Sequence, residues 1–193
     1  MLTIPIIQDK LFFEMTPLIP TCEYSNDSGS FMPYAQLRIS EIQNSGIEID
    51  LTAFVTHPEV TDGDDFIAND DLMAISMNLN PDNTDNILTF ICNSSNSCIV
   101  MKNGTLLDNY QCERRSGEDE RGIYWNIKIV LPPDFLQKHF GLSTLTGVNS
   151  VRCNAFKAKM KHPHKHFGAV APFKTAYDFF TADNLAEFKV INM

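Results

Sequence analysis

Along most of this chain, apolar residues recur at every second position. Ile47, Ile49, Leu51, Ala53 and Val55 alternate with Glu48, Asp50 and Thr52. Met73, Ile75, Met77 and Leu79 alternate with Ala74, Ser76 and Asn78, and Ile123, Trp125, Ile127, Ile129 and Leu131 alternate with Tyr124, Asn126 and Lys128. Successive side chains of a strand point to opposite faces, so each run presents one apolar face that has to be buried. Shorter runs at 34–39, 87–92, 98–101, 150–156 and 185–191 read the same way. Turn-rich stretches such as Asn80-Pro81-Asp82-Asn83 and Lys102-Asn103-Gly104-Thr105 separate them. Only 132–140 reads as a helix, because Pro132 and Pro133 suit its first turn and Gly141 its end. One-faced strands with one short helix predict an all-β fold, a two-sheet antiparallel β-sandwich of jelly-roll or immunoglobulin-like type. Trp125 alternates in phase with Ile127 and Ile129, which assigns it to the core. With no internal repeat and no linker, residues 1–193 read as one domain.

Composition narrows the partners. A hydrophobic fraction of 44% supports one sizeable core. Phosphate recognition needs clustered Lys and Arg, and 15 basic residues face 24 acidic ones for a net charge of −9, so nucleic acid is not the expected partner. The same balance disfavours anionic membranes, and no apolar run is long enough to span a bilayer. The first ten residues lack a basic leader and a long apolar stretch, so the expected address is cytoplasmic. Five cysteines stand without a C-x-x-C pair. Cys92 and Cys98 flank Asn-Ser-Ser-Asn-Ser and could meet across a hairpin as a disulfide in an oxidising compartment. In a reducing one the expectation is free, partly buried thiols.

Catalytic signatures are missing: there is no G-x-S-x-G, P-loop, G-x-G-x-x-G or H-E-x-x-H, so no enzyme is expected. Two local clusters invite a ligand. Asp62, Asp64 and Asp65, followed by Asn69, Asp70 and Asp71, offer oxygens at a density that suits a hard cation such as structural calcium. Their spacing departs from the helix–loop–helix calcium pattern, since Gly63 comes early and no Glu closes the loop; a solvated acidic loop is the alternative. His162, His164 and His166 would share a face of an extended segment, as in a transition-metal site. Pro163 interrupts that segment and the neighbouring lysines repel a cation. A polar loop whose imidazoles hydrogen-bond a ligand or backbone fits better.

A resemblance joins these pieces. Val151-Arg152-Cys153-Asn154-Ala155-Phe156-Lys157, then His164-Lys165-His166-Phe167-Gly168-Ala169-Val170-Ala171-Pro172, then Asp178-Phe179-Phe180 resemble the C-terminal signature of the family 9 carbohydrate-binding modules. That signature runs from an Arg-x-Asn strand through a His-Pro-His-Tyr-like loop and a Ser-Trp-x-Pro turn to an Asp-Phe-His segment. Residues 74–81, 87–104 and 124–136 follow the family's order as well. The resemblance implies a non-catalytic β-sandwich that binds sugars, often helped by calcium, with a sugar ring clamped between aromatic side chains. It places a carbohydrate site near the His-Pro-His loop. Arg152, Asn154, Lys157, His164 and His166 would be polar contacts, with Phe173 or Tyr177 as the aromatic surface. The chain departs from the pattern at three places: Val170 replaces the turn tryptophan, Phe180 the histidine, and Ser76 the glutamate that precedes Asn-Pro. A structural or protein-interaction module that has lost its sugar site is therefore the alternative. A haem-binding relative using Met160 beside His164 and His166 is a more distant one.

Overall fold

The alternating runs become strands in the computed structural model of the chain, which describes all residues except 29–31, 56–57, 59–64, 81–82, 84, 96 and 162–163. The strands are β1 (Thr3–Ile7), β2 (Ile19–Pro20), β3 (Glu23–Tyr24), β4 (Ala35–Ile42), β5 (Gly46–Phe54), β6 (Leu72–Asn78) and β7 (Leu88–Asn93). They continue with β8 (Cys98–Lys102), β9 (Thr105–Asn109), β10 (Glu113–Asp119), β11 (Gly122–Leu131), β12 (Ser150–Lys159), β13 (His166–Ala169) and β14 (Ala186–Asn192). Helices are minor: the four-residue α1 (Phe66–Asn69), α2 (Pro133–Phe140) and short 3-10 turns. The all-β expectation holds. In α2, Pro133 opens the first turn with Asp134, Lys138 and His139 sit in the last, and Gly141 closes it at φ 75°, an arrangement that matches both caps and the helix dipole.

The sheet differs from the expected pair of antiparallel sheets. Its strands form one hydrogen-bonded path in the order β10-β11-β5-β4-β1-β14-β12-β6-β7-β8-β9. The path is mixed, because β1 runs parallel to both β14 and β4. Alternation states that a strand buries one face and is silent on which way its neighbour runs. Hairpins dictate antiparallel pairing for β4–β5, β6–β7 and β7–β8, whereas β1 reaches its partners only after long excursions of the chain. Pro5, with no N–H to give, is tolerated inside β1 because pairing with β4 begins only at Ile6.

The path curls so that one apolar cluster collects the inward residues of both halves. Leu37, Ile49 and Ile127 from β4, β5 and β11 share it with Ile75, Phe90 and Ala155 from β6, β7 and β12. Trp125 is 1% exposed and belongs to this cluster. Each large side chain fully buried in this way contributes roughly 1.5–3 kcal/mol. A second cluster forms on the opposite face of β6, β7 and β12, where Leu72, Ala74, Ile91, Phe156, Phe167 and Phe179 meet.

Segment 170–185 closes over that second cluster, and the buried Asn184 holds it in place. The Asn184 side chain accepts the N–H groups of Lys174 and Thr175 at 2.8 and 3.0 Å, and donates to the carbonyls of Thr175 and Asp178 at 2.6 and 2.7 Å. Asn184→Ala strands these four backbone groups beside a buried site. The expected loss is about 2–3 kcal/mol by urea unfolding, at roughly 1 kcal/mol per net hydrogen bond with part of the deficit met by water.

Candidate functional site

Strand parity divides the residues that the sequence proposes for the ligand. Arg152 and Asn154 lie on the outer face of β12, and Lys157 lies on the inner one with Val151, Cys153 and Ala155, so the three do not converge. Arg152 donates to the carbonyls of Ala182 and Leu185 at 2.8 and 3.2 Å. Asn154 is fully buried and bonds the backbone of Ala171 and Asn184. Both therefore pin segment 170–185. Phe173 and Tyr177 pack against Phe167, with centroids 5.0 and 5.3 Å away, and are half-buried. The Lys165 ammonium lies 4.3 Å from the Tyr177 ring.

Lys157 and His166 meet instead in a buried polar cluster with Asp71. The Lys157 Nζ donates to Asp71 Oδ1 at 2.7 Å and to His166 Nε2 at 3.0 Å. His166 Nδ1–H then donates to the carbonyl of His164 at 2.6 Å, so the network assigns the Nδ1–H tautomer of a neutral imidazole. Burial, followed by the Lys157 charge, pushes the His166 pKa down to about 3. Burial also pushes the Lys157 ammonium below the usual lysine range, against the attraction of Asp71. His164 itself is exposed, in the left-handed region at φ 65°. Of the proposed calcium ligands, Asp62 and Asp64 lie outside the described residues, and Asp65 is exposed at the start of α1. Cys92 and Cys98 are joined as a disulfide rather than free, since the β7–β8 register sets them opposite each other with Cα atoms 4.1 Å apart.

A different surface is built to receive a ligand: the outward face of β4, β5, β11 and β10. Cross-strand register aligns Tyr34, Phe54, Tyr124 and Gly117 as one row, and Gln36, Thr52, Asn126 and Arg115 as the next. Arg38, Asp50, Lys128 and Glu113 form a third row. The first row is an aromatic strip whose centroids are 5.5 and 5.9 Å apart, and Tyr34 is 41% exposed. Gly117 makes room for it, because a Cβ there would stand 3.0 Å from the Tyr124 hydroxyl. Arg121 lies over Phe54 at 4.6 Å and is held by Asp119 and by Gln36 Oε1 at 3.2 Å.

Beside the strip a cleft of about 220 Å³ opens over the polar rows. In it the Asn126 amide donates to Asp50 and to Thr52 Oγ1, and Thr52 donates to Asp50 Oδ1 at 3.1 Å. Burial raises the Asp50 pKa, while the Asn126 and Thr52 hydrogen bonds and the charges of Arg38 and Lys128 restrain the shift. The far end is capped by the 3-10 turn at Lys10–Met15, where Glu14 pairs with Arg38. An apolar strip flanked by fixed amide, carboxylate and guanidinium groups can stack a C–H face while bonding the hydroxyls around it.

No family model matches the chain, and no curated protein matches it in sequence. Solved structures do match. A candidate carbohydrate-binding protein from Bacteroides uniformis aligns over 98% of this chain and 98% of its own, with a TM-score of 0.73 at 16% identity. A family 9 carbohydrate-binding module from Caldicellulosiruptor kristjanssonii in complex with cellotriose aligns over 100% of this chain and 94% of its own, with a TM-score of 0.63 at 11% identity. A module of that family and organism in complex with glucose covers 99% and 96%, with a TM-score of 0.60 at 11% identity. This chain has the fold of the family 9 modules.

On the family 9 fold, two of the three departures noted in the sequence fall in the interior and the third, Phe180, is half-buried. Val170 is 3% exposed, Ser76 donates to the Phe179 carbonyl at 2.5 Å, and Phe180 packs edge-on against Phe179. Ser76 lies beneath segment 170–185, to which Val170 and Phe180 themselves belong.

Proposed function

We propose that this protein is a non-catalytic carbohydrate-binding domain. In this reading the sugar lies on the outward face of β4, β5, β11 and β10. The observation that carries it is the Tyr34–Phe54–Tyr124 strip beside the Asp50–Asn126–Thr52 network. The family 9 likeness supports it, since modules of that fold are found in complex with cellotriose and glucose. The curled sheet is read as a sandwich whose two halves share one core, which leaves this outer face free for a ligand. Calcium, if bound through the Asp62–Asp65 stretch, would have a structural role.

Calorimetric titration with cellotriose and with glucose, with and without calcium, tests the proposal. Saturable binding is expected, weakened about tenfold by Tyr124→Ala and by Tyr34→Ala, the scale of one lost aromatic contact. A flat response to both sugars and to a broad glycan array sinks it. Binding lost in His164→Ala or Phe173→Ala but retained in Tyr124→Ala would move the site to the other face.

An interaction module is the second reading, favoured by one surface. Phe12, Met15 and Met193 are exposed around a cavity of about 340 Å³. Concentration-dependent self-association in sedimentation, without sugar binding, would support it.

A further inference from the structure

Three sulfur atoms converge where β7 and β8 meet the segment that leads into β10. Cys92 and Cys98 face each other across β7 and β8 and are buried. Cys112, on the link between β9 and β10, is half-buried, and its Sγ lies within 4.8 Å of both of theirs. A groove of about 1040 Å³ reaches this point, lined by Cys98, Cys112, Met101, Tyr110 and Asp65. Cys22 and Cys153 stand elsewhere, and the trio is the one His, Cys, Asp or Glu grouping of this compactness among the described residues.

We propose that Cys92, Cys98 and Cys112, when reduced, form a binding site for a thiophilic d10 cation, zinc(II) or copper(I). Such a cation holds thiolate sulfur at about 2.3 Å, so three ligands around it sit roughly 4 Å from one another. The trio is already gathered within that scale by the backbone of β7, β8 and the β9–β10 link. Side-chain torsions supply the remaining adjustment once the pair is open. Two sulfurs come from rigid, register-matched strands and the third from a connecting segment, which leaves one side of the triangle open to the groove. That open side gives the cation an entry path and zinc(II) a fourth, water-derived ligand; copper(I) is content with three sulfurs.

The chemistry balances in two steps. A dithiol reductant transfers two electrons and two protons to the Cys92–Cys98 disulfide and is itself oxidised to a disulfide. The cation then displaces the thiol protons to solvent as three S–metal bonds form. Because binding releases thiol protons, protons compete with the metal and affinity rises with pH. The disulfide and the metal site use the same sulfurs, and the reduced, metal-loaded form excludes the oxidised one.

The test uses the full chain, reduced with tris(2-carboxyethyl)phosphine, freed of reductant without air, and titrated with cadmium(II) as a spectroscopic probe. The expected result is a sulfur-to-cadmium charge-transfer band saturating at one equivalent, and displacement of cadmium by zinc(II) or copper(I) distinguishes the two cations. Cys112→Ser and Cys112→Ala should weaken binding by about a hundredfold or more, whereas Cys22→Ser and Cys153→Ser should leave it unchanged. Far-ultraviolet circular dichroism checks that each variant is folded. No charge-transfer band in the reduced wild type, an unaltered affinity in both Cys112 variants, or a Cys92–Cys98 pair that resists reduction in the folded chain would each overturn the proposal.

Discussion

Lys157→Met is expected to destabilise the protein by about 3–5 kcal/mol in urea unfolding at neutral pH, the cost of removing one partner of a buried ion pair. The Lys157 side chain is 0% exposed and that of Asp71 5%, so water cannot enter cheaply to replace the lost ammonium. Two groups lose a donor in that single change: the Asp71 carboxylate at 2.7 Å and His166 Nε2 at 3.0 Å. Methionine keeps most of the volume, so the loss reports on charge and hydrogen bonding rather than on a cavity. A change below about 1 kcal/mol would mean that the Asp71 charge is compensated without Lys157. The double variant Lys157→Met/Asp71→Leu should recover much of the loss, because the pair is costly to desolvate and is needed chiefly by each partner.

His166 makes stability fall in mild acid. Its folded pKa is held at about 3, far below the 6.5 of an unhindered imidazole. Between those values the unfolded chain takes up a proton that the folded chain refuses, so the contribution is fully present above about pH 6.5 and is lost as pH falls towards 3. The slope approaches about 1.4 kcal/mol per pH unit within that window. Urea unfolding at pH 7, 6 and 5 measures it, before most carboxylates begin to titrate. His139 is shifted in the same direction by its own burial and by Lys138 and Lys102, so the comparison that isolates the effect is with His166→Gln. That variant should show a markedly flatter profile between pH 7 and 5. An identical slope in variant and wild type would assign the acid sensitivity to another group.

Much of the fold is legible from alternation. The runs at 47–55, 73–79 and 123–131 became β5, β6 and β11 with shifts of one residue at their ends, and 132–140 became α2. Strands that do not bury one face were invisible to the same reading. β9 and β10 are edge strands with exposed residues on both sides, so their sequences, Thr-Leu-Leu-Asp-Asn and Glu-Arg-Arg-Ser-Gly-Glu-Asp, carry no period. β1 was hidden by Pro5, whose missing N–H costs nothing only because of where pairing to β4 starts.

The candidate sites were legible to a smaller degree. The opposite parity of Arg152 and Lys157 could be read from β12 alone, and it already separates them. Asp71 could not be placed beside Lys157 without the β6–β12 pairing, since nothing local links residues so far apart. Likewise Tyr34, Phe54 and Tyr124 read as isolated aromatics on polar faces. Their outward positions follow from alternation, but their alignment follows from register across three strands.

By itself, then, the sequence determined the class of fold, the inward face of each long strand and the place of Trp125, because these depend only on the two-residue period of a strand. Only the tertiary structure decided that β1 runs parallel to its neighbours, that segment 170–185 seals the outer face of β6 and β12, and that an aromatic strip and three sulfurs assemble elsewhere. Those are contacts between residues distant in the chain. They are set by how the sheet curls and which strands pair, and no local pattern of side chains carries that information.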